Sequence, residues 1–296
     1  MPHAGIVTVV GKPNVGKSTL LNRIVGQKLS ITSSKPQSTR DRIVGIRSDG
    51  DAQMVILDTP GLLEPRYELQ RVMRSTALRA LEDADVIVYL VDAHDPSPPS
   101  LAEAAALERA PGAPVIVAVN KIDTLEHEAR EALLGRAAED DSIVPISATS
   151  GEGVERLLER IAALLPESPF LYPEDEIATQ SLRFFTAELI RETALEQLEE
   201  EVPYSVACEV EEFREERRPI YIRAVIYVER PTQKQILIGR KGEKIREIGR
   251  AARVKIEELV GAPVYLDLWV KVLPNWRRNA KALRRFGYKP PEDTAP

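Results

Sequence analysis

The chain has a single cysteine, Cys208, among 296 residues, so no internal disulfide can form and a reducing compartment fits. Its histidines, His3, His94 and His127, are far apart and have no cysteine partners, which argues against a transition-metal centre. No uncharged apolar run approaches the roughly 20 residues that span a bilayer. The first strand pattern begins within about five residues of Met1, with no basic n-region or long apolar segment before it. These absences predict a cytosolic protein, peripheral to a membrane at most. The net charge of −6 excludes a surface that is basic all over, though not a local basic patch. Apolar and charged contents are ordinary for a globular chain, and the length suits two domains.

What is present is organised around Gly11-Lys12-Pro13-Asn14-Val15-Gly16-Lys17-Ser18-Thr19. An apolar run at 6–10 precedes it and a helical pattern at 19–25 follows. A glycine-bounded loop between strand and helix turns successive N–H groups toward an anion, and the helix start adds its dipole. Lys17 supplies a point charge for β- and γ-phosphates, and Ser18 offers a hydroxyl to Mg²⁺.

Further polar stations follow, each at the end of an apolar run. Residues 43–47 and 54–57 read as a hairpin around Asp49-Gly50-Asp51. The second strand runs into Asp58-Thr59-Pro60-Gly61, where an acid can hold phosphate-bound Mg²⁺ through water and a glycine lets its N–H approach a γ-phosphate. Runs at 85–91 and 114–119 read as buried strands, and the latter ends in Asn120-Lys121-Ile122-Asp123. An Asp there can accept both donors of the guanine edge; adenine would leave it desolvated and unpaired. Asn120 can tie the loops together, and the stem of Lys121 can lie along the base. The last strand, 143–146, ends in Ser147-Ala148-Thr149, whose backbone N–H groups can meet the guanine O6. Strands alternating with helices, with polar motifs at strand ends, predict a doubly wound α/β domain.

These stations resemble those of a small Ras-type GTP-binding domain. The segment Pro36-Gln37-Ser38-Thr39-Arg40 resembles the first switch of the Era family, in which a threonine closes on Mg²⁺ and the γ-phosphate. The resemblance places that role on Thr39. Ser38 stands where many relatives carry threonine, so its hydroxyl is the alternative. Leu62 stands where Ras-like proteins place a water-orienting Gln, as in the GTPase branch that includes the Era family. For that branch the resemblance implies K⁺ activation, with Asn14 helping to hold the ion. It thereby implies Lys17, Thr39, Gly61 and Asn14 as the catalytic set, with Ser18, Thr39 and Asp58 at the metal.

Prolines and acids over 166–178 break the pattern. We expect a GTP-binding domain at 1–167, a linker at 168–180 and a second domain at 181–296. Helical spacing resumes at Leu182 and ends near Glu199-Glu200-Glu201. Residues 206–210 and 220–228 read as an antiparallel pair. Then come Ile236, Leu237 and Ile238, the loop Gly239-Arg240-Lys241-Gly242, and a helix with Ile245, Ile248, Ala252, Ile256 and Leu259 at 3.6 spacing. A strand at 264–272 closes the sheet, and 275–286 reads as a final basic helix.

Two helices joined by G-x-x-G resemble the KH module, whose loop clamps the backbone of about four nucleotides. The element order resembles its type II form, a small α+β fold. Glycines permit close approach to phosphate, Arg240 and Lys241 supply charge, and the apolar residues Ile236 and Ile238 offer a groove for bases. Lys234, Lys244 and Arg246 complete the expected contacts. Acids crowd 196–216, whereas bases crowd 230–255 and 269–289, favouring a focused nucleic-acid footprint.

Together the two resemblances identify the chain as a member of the Era family. They imply a monomeric GTP-hydrolysing switch that uses Mg²⁺ and K⁺. They further imply a partner in the 3′ end of small-subunit ribosomal RNA and the 30S subunit, a role in ribosome assembly, and peripheral membrane association. The alternative is a GTP-regulated protein whose C-terminal domain binds a protein or membrane partner.

Overall fold

The computed structural model describes residues 1–33 and 35–290. Ser34, in the loop expected at 33–40, and residues 291–296, in the expected second domain, lie outside the described residues. The chain divides into two units. One comprises Met1–Glu64 and Met73–Thr179; the other comprises Pro65–Val72 and the chain from Gln180 onward.

The first unit is built from β1 (His3–Gly11), α1 (Lys17–Val25), β2 (Ile43–Asp49), β3 (Ala52–Asp58), α2 (Glu68–Glu82, whose first residues group with the other unit), β4 (Val86–Asp92), α3 (Leu101–Ala105), β5 (Val115–Asn120), α4 (His127–Glu139), β6 (Ile143–Ile146) and α5 (Val154–Leu164). The strand order is β2-β3-β1-β4-β5-β6. Every pair is parallel except β2–β3, the expected hairpin, whose register closes at Asp49 opposite Ala52. The central strands are mostly apolar because helices cover both faces. Val7, Val10, Ile56, Ile87 and Leu90 are completely buried, each contributing roughly 1.5–3 kcal/mol. The carboxyl ends of β1, β3, β4 and β5, at Gly11, Asp58, Asp92 and Asn120, fall along one edge of the sheet.

Within the expected linker, 168–180, residues up to Thr179 group with the first unit, and 171–178 run beside β2 and β3. The buried amide of Gln53 is the reason. Its Nε2 donates to Tyr172 O (2.8 Å), and its Oε1 accepts from Leu171 N (2.7 Å) and Tyr172 N (3.0 Å). Ile46 N also donates to Ile177 O at 2.9 Å.

The second unit contains α6 (Leu182–Gln197), β7 (Ala207–Arg214), β8 (Ile220–Val228), α7 (Pro231–Ile238), α8 (Glu243–Val260), β9 (Val264–Val272) and α9 (Ala280–Arg285). Its sheet has the order β7-β8-β9; β7 pairs antiparallel and β9 parallel to β8. Ile190, Ala194, Ile222, Ile226, Ile248 and Ile256 form the core. The helix expected over 275–286 is interrupted. A single 3-10 turn, Trp276–Arg278, is followed by Asn279, whose side chain caps α9 by accepting from Ala282 N. The break lets Trp276 point inward, where it is completely buried and donates through Nε1 to Ser205 O at 2.8 Å.

Candidate nucleotide and nucleic-acid sites

In the first unit the sequence motifs converge on the carboxyl edge of the sheet. The loop after β1 faces residues 31–33, 37–39 and Gly61 across a cleft lined by Pro13, Asn14, Lys17, Ser18, Thr19 and Thr39, among others. Gly16 has φ 105°, and a Cβ there would lie 2.3 Å from Asn120 Nδ2, so no larger residue fits. Lys17 is 6 % exposed. Its ammonium donates to Lys12 O (2.9 Å) and Gly11 O (3.3 Å), and burial pushes it down to about 8 against the pull of Asp58.

Asp58 is completely buried at the end of β3. Its Oδ2 accepts from Ser18 (2.7 Å) and Ser30 (2.9 Å) and lies 3.3 Å from Thr39 Oγ1, which is itself 2.8 Å from Ser18 Oγ. Of the two hydroxyls weighed for the first switch, that of Thr39 lies against Asp58. Burial raises the Asp58 carboxyl, while Lys17 and the hydroxyls oppose the shift. Its Oδ1 is buried without a partner among the described residues. An unsatisfied carboxylate oxygen beside two hydroxyls is a hard-oxygen donor set, which fits Mg²⁺. Leu62 is 5 % exposed, packs in the core with Val10, Ala77 and Tyr89, and donates from its backbone N to Gly11 O at 3.0 Å. It cannot orient a water.

At the other end, Asn120 Nδ2 donates to Val15 O (2.8 Å), and its Oδ1 accepts from Ala148 N (2.9 Å). Ser147 N donates to Glu152 O at 2.8 Å. Of the 147–149 tripeptide, therefore, the Thr149 N–H is the one without a bond among the described residues. Lys121 adopts φ 74° and donates to Asp92 Oδ2 at 2.6 Å. Burial opposes ionisation of Asp92, but Lys121 and His94 hold it down to about 2. The Asp123 carboxylate is exposed beside them. Sequence reasoning missed Asn22, Arg23, Ser30 and Asp92. Arg23 of α1 donates to the carbonyls of Ala148 and Thr149, far along the chain. These residues belong to no spaced motif; only the fold brings them to the site.

In the second unit, α7, the G-x-x-G loop and α8 form one connected feature. Gly239 has φ 73°, and a Cβ there would meet Lys244 N at 2.8 Å. Arg240 and Lys241 are exposed and make no ion pair among the described residues. Arg246 points back, donating to Gly242 O (3.0 Å) and Lys241 O (2.8 Å), and so braces the loop. Lys244 pairs with Glu247. Ile236 is 53 % exposed, Lys234 is half-buried, and Ile238 packs against the core. A groove lies further along the same unit. It occupies about 440 Å³ between α8 and the edge strand β9, lined by Ile245, Gly249, Arg250, Arg253, Tyr265 and Leu268 among others. Tyr265 is 60 % exposed and stacks on Tyr221 with centroids 5.9 Å apart.

Three of the C-terminal bases are paired with acids. Lys271 pairs with Glu211, Arg277 with Glu229 and Arg285 with Glu209. The acidic run of β7 thus neutralises part of the basic run. No helix among the described residues is long and apolar enough to cross a membrane.

Comparison with known proteins agrees with this geometry. Residues 6–121 match the family of 50S ribosome-binding GTPases, and residues 201–277 match the KH domain. GTPase Era of Pseudomonas aeruginosa is 45% identical over 293 residues, covering 97% of this chain and 95% of that protein. GTPase Era of Carboxydothermus hydrogenoformans is 43% identical over 297 residues, covering 96% and 97%. Two solved structures each give a TM-score of 0.89 at 41% identity, covering 97% of this chain and 99% of theirs. One is an Aquifex aeolicus Era variant bound to GDP·AlF4⁻; the other is Era in complex with MgGDPNP and nucleotides 1506–1542 of 16S ribosomal RNA. With a GTPase domain and a KH domain matched in order, and identity above 40% along nearly its whole length, this chain belongs to the Era family of GTPases.

Proposed function

We propose that this GTPase is a nucleotide-controlled RNA-binding switch. Its KH domain takes the 3′ end of small-subunit ribosomal RNA, and it acts in the cytoplasm, as a monomer, on the assembling 30S subunit. The observation that carries the reading is the pairing, in one chain, of a complete phosphate-and-guanine edge with a G-x-x-G loop whose cations are unpaired.

The backbone N–H groups of the loop from Gly11 to Ser18, Pro13 excepted, and the Lys17 ammonium hold the β- and γ-phosphates. Asn120 holds the base loop to the phosphate loop, and Asp123 selects guanine by accepting from its N1–H and N2–H₂. Ser18, Thr39 and Asp58 hold Mg²⁺, which when bound neutralises charge on the phosphate oxygens. A water attacks the γ-phosphorus in line with the bond to the bridging oxygen, and that oxygen leaves on GDP. The Gly61 N–H steadies the γ-phosphate. With Leu62 buried and no arginine finger evident, the intrinsic rate is slow. Asn14, exposed in a left-handed conformation at the cleft, would help hold a K⁺, which would supply positive charge near the leaving group. Contacts of Thr39 and Gly61 with the γ-phosphate order the loops at 33–40 and 58–66, and hydrolysis releases them. On the RNA side, Gly239, Arg240, Lys241 and Gly242 clamp the backbone, while Tyr265 and the groove beside it take bases.

The test is RNA binding by the full chain in its GTP-analogue, GDP and nucleotide-free states across a salt series, with GTP turnover measured in K⁺ and in Na⁺. Tighter binding with the analogue, weakening steeply with salt, and faster turnover in K⁺ are expected. Equal binding in all three states would remove the coupling, and equal turnover in both salts would remove the K⁺ site.

A further inference from the structure

Among the three hydroxyls on Asp58, one has no second task. Ser18 and Thr39 line the nucleotide cleft, where a cation would share them. Ser30 does not line it, is 2 % exposed, and aims its Oγ at Asp58 Oδ2 from 2.9 Å. The backbone of Ser30 is locked from α1. Asn22 Oδ1 accepts from Leu29 N (2.9 Å) and Ser30 N (2.8 Å), and Asn22 Nδ2 donates to Ser30 O (2.8 Å). A single amide thus satisfies both backbone groups of Ser30 and leaves its hydroxyl as the polar group directed at the carboxylate.

We infer that Ser30 is a positioning residue for Asp58, with Asn22 as its support. By holding Oδ2, it presents the orphaned Oδ1 to the divalent cation. The inference rests on the reading of Asp58 as the metal-site carboxylate. It also separates Ser30 from Thr39. Ser30 precedes the loop at 33–40 and is tied to α1, so its bond to Asp58 persists when that loop opens. Thr39 contributes only while the γ-phosphate holds the loop closed.

The experiment follows dissociation of a fluorescent GDP, and of a fluorescent non-hydrolysable GTP analogue, from the full chain as free Mg²⁺ is varied. Ser30→Ala is expected to raise the half-effective Mg²⁺ concentration about tenfold with both nucleotides, the scale of one lost hydrogen bond to a charged group. Dissociation in excess chelator should be unchanged. Thr39→Ala is expected to shift the midpoint with the GTP analogue alone. Asn22→Ala should move it in the same direction as Ser30→Ala, and Ser30→Thr should restore it; thermal unfolding of each nucleotide-free variant checks that it folds. In an Asp58→Ala background Ser30→Ala should add nothing. An unchanged midpoint in Ser30→Ala, or an equal loss with and without Mg²⁺, overturns the inference. If Asp58→Ala itself leaves the Mg²⁺ dependence intact, the reading of the site fails instead.

Discussion

Asn120, the last residue of β5, donates from Nδ2 to the carbonyl oxygen of Val15 across 2.8 Å of buried space. One side chain thereby joins the loop after β5 to the loop after β1. With its Oδ1 accepting from Ala148 N, it makes three separate segments one rigid edge.

Asn120→Ala strands a buried carbonyl and a buried N–H. The nucleotide-free protein is expected to lose about 2–4 kcal/mol in urea unfolding. A loss within about 0.5 kcal/mol, the scale of an ordinary surface change, would mean the edge is held together by something else.

Asp123→Asn exchanges an acceptor-only group for one acceptor and one donor. Guanine nucleotides should bind more than about 100-fold more weakly, while xanthine nucleotides, with one donor and one acceptor at that edge, should gain. Competition binding of GDP against XDP reads both changes, and parallel losses for the two bases would argue against base readout by Asp123.

Charge reversal at the exposed loop, Arg240→Glu with Lys241→Glu, is expected to weaken RNA binding by well over about tenfold and to flatten its salt dependence. Lys271→Ala, which removes a cation already paired with Glu211, should change affinity little. Filter or anisotropy binding at several salt concentrations separates them; similar losses at both sites would point to a diffuse field rather than a loop clamp.

Tyr227 lies 2 % exposed beneath α9. Burial, reinforced by Glu209 and opposed by Arg285, pushes its phenol up from 10.0 to about 12. Below pH 10 the phenol is neutral in folded and unfolded chains, so it adds no pH dependence there. Between pH 10 and about 12 only the unfolded chain has lost the proton, so stability falls as pH rises. Tyr227→Phe should remove that part of the alkaline decline in denaturant unfolding, and ultraviolet difference spectra should show one late-titrating tyrosine missing. An identical alkaline profile in the variant would contradict the assignment.

Local sequence determined the parts of this protein whose chemistry is carried by neighbours in the chain. Gly11 to Thr19 specify a phosphate loop because backbone N–H groups, glycine conformations and Lys17 act within one turn. The turn from Gly239 to Gly242 is specified for the same reason, and apolar runs specify which strands are buried. Tertiary structure decided what depends on separations no spacing rule encodes. Ser30 reaches Asp58, Arg23 reaches Ala148, and Lys121 reaches Asp92 only because parallel strands end together at one sheet edge. The cavity beside Tyr265 exists because β9 packs next to α8, a neighbourhood no spacing in the sequence shows. Pairing across β7, β9 and α9 cancelled bases that the linear charge pattern had counted as free. Charge along a chain adds by position, whereas the charge a ligand meets is what remains after neighbours in space have neutralised one another.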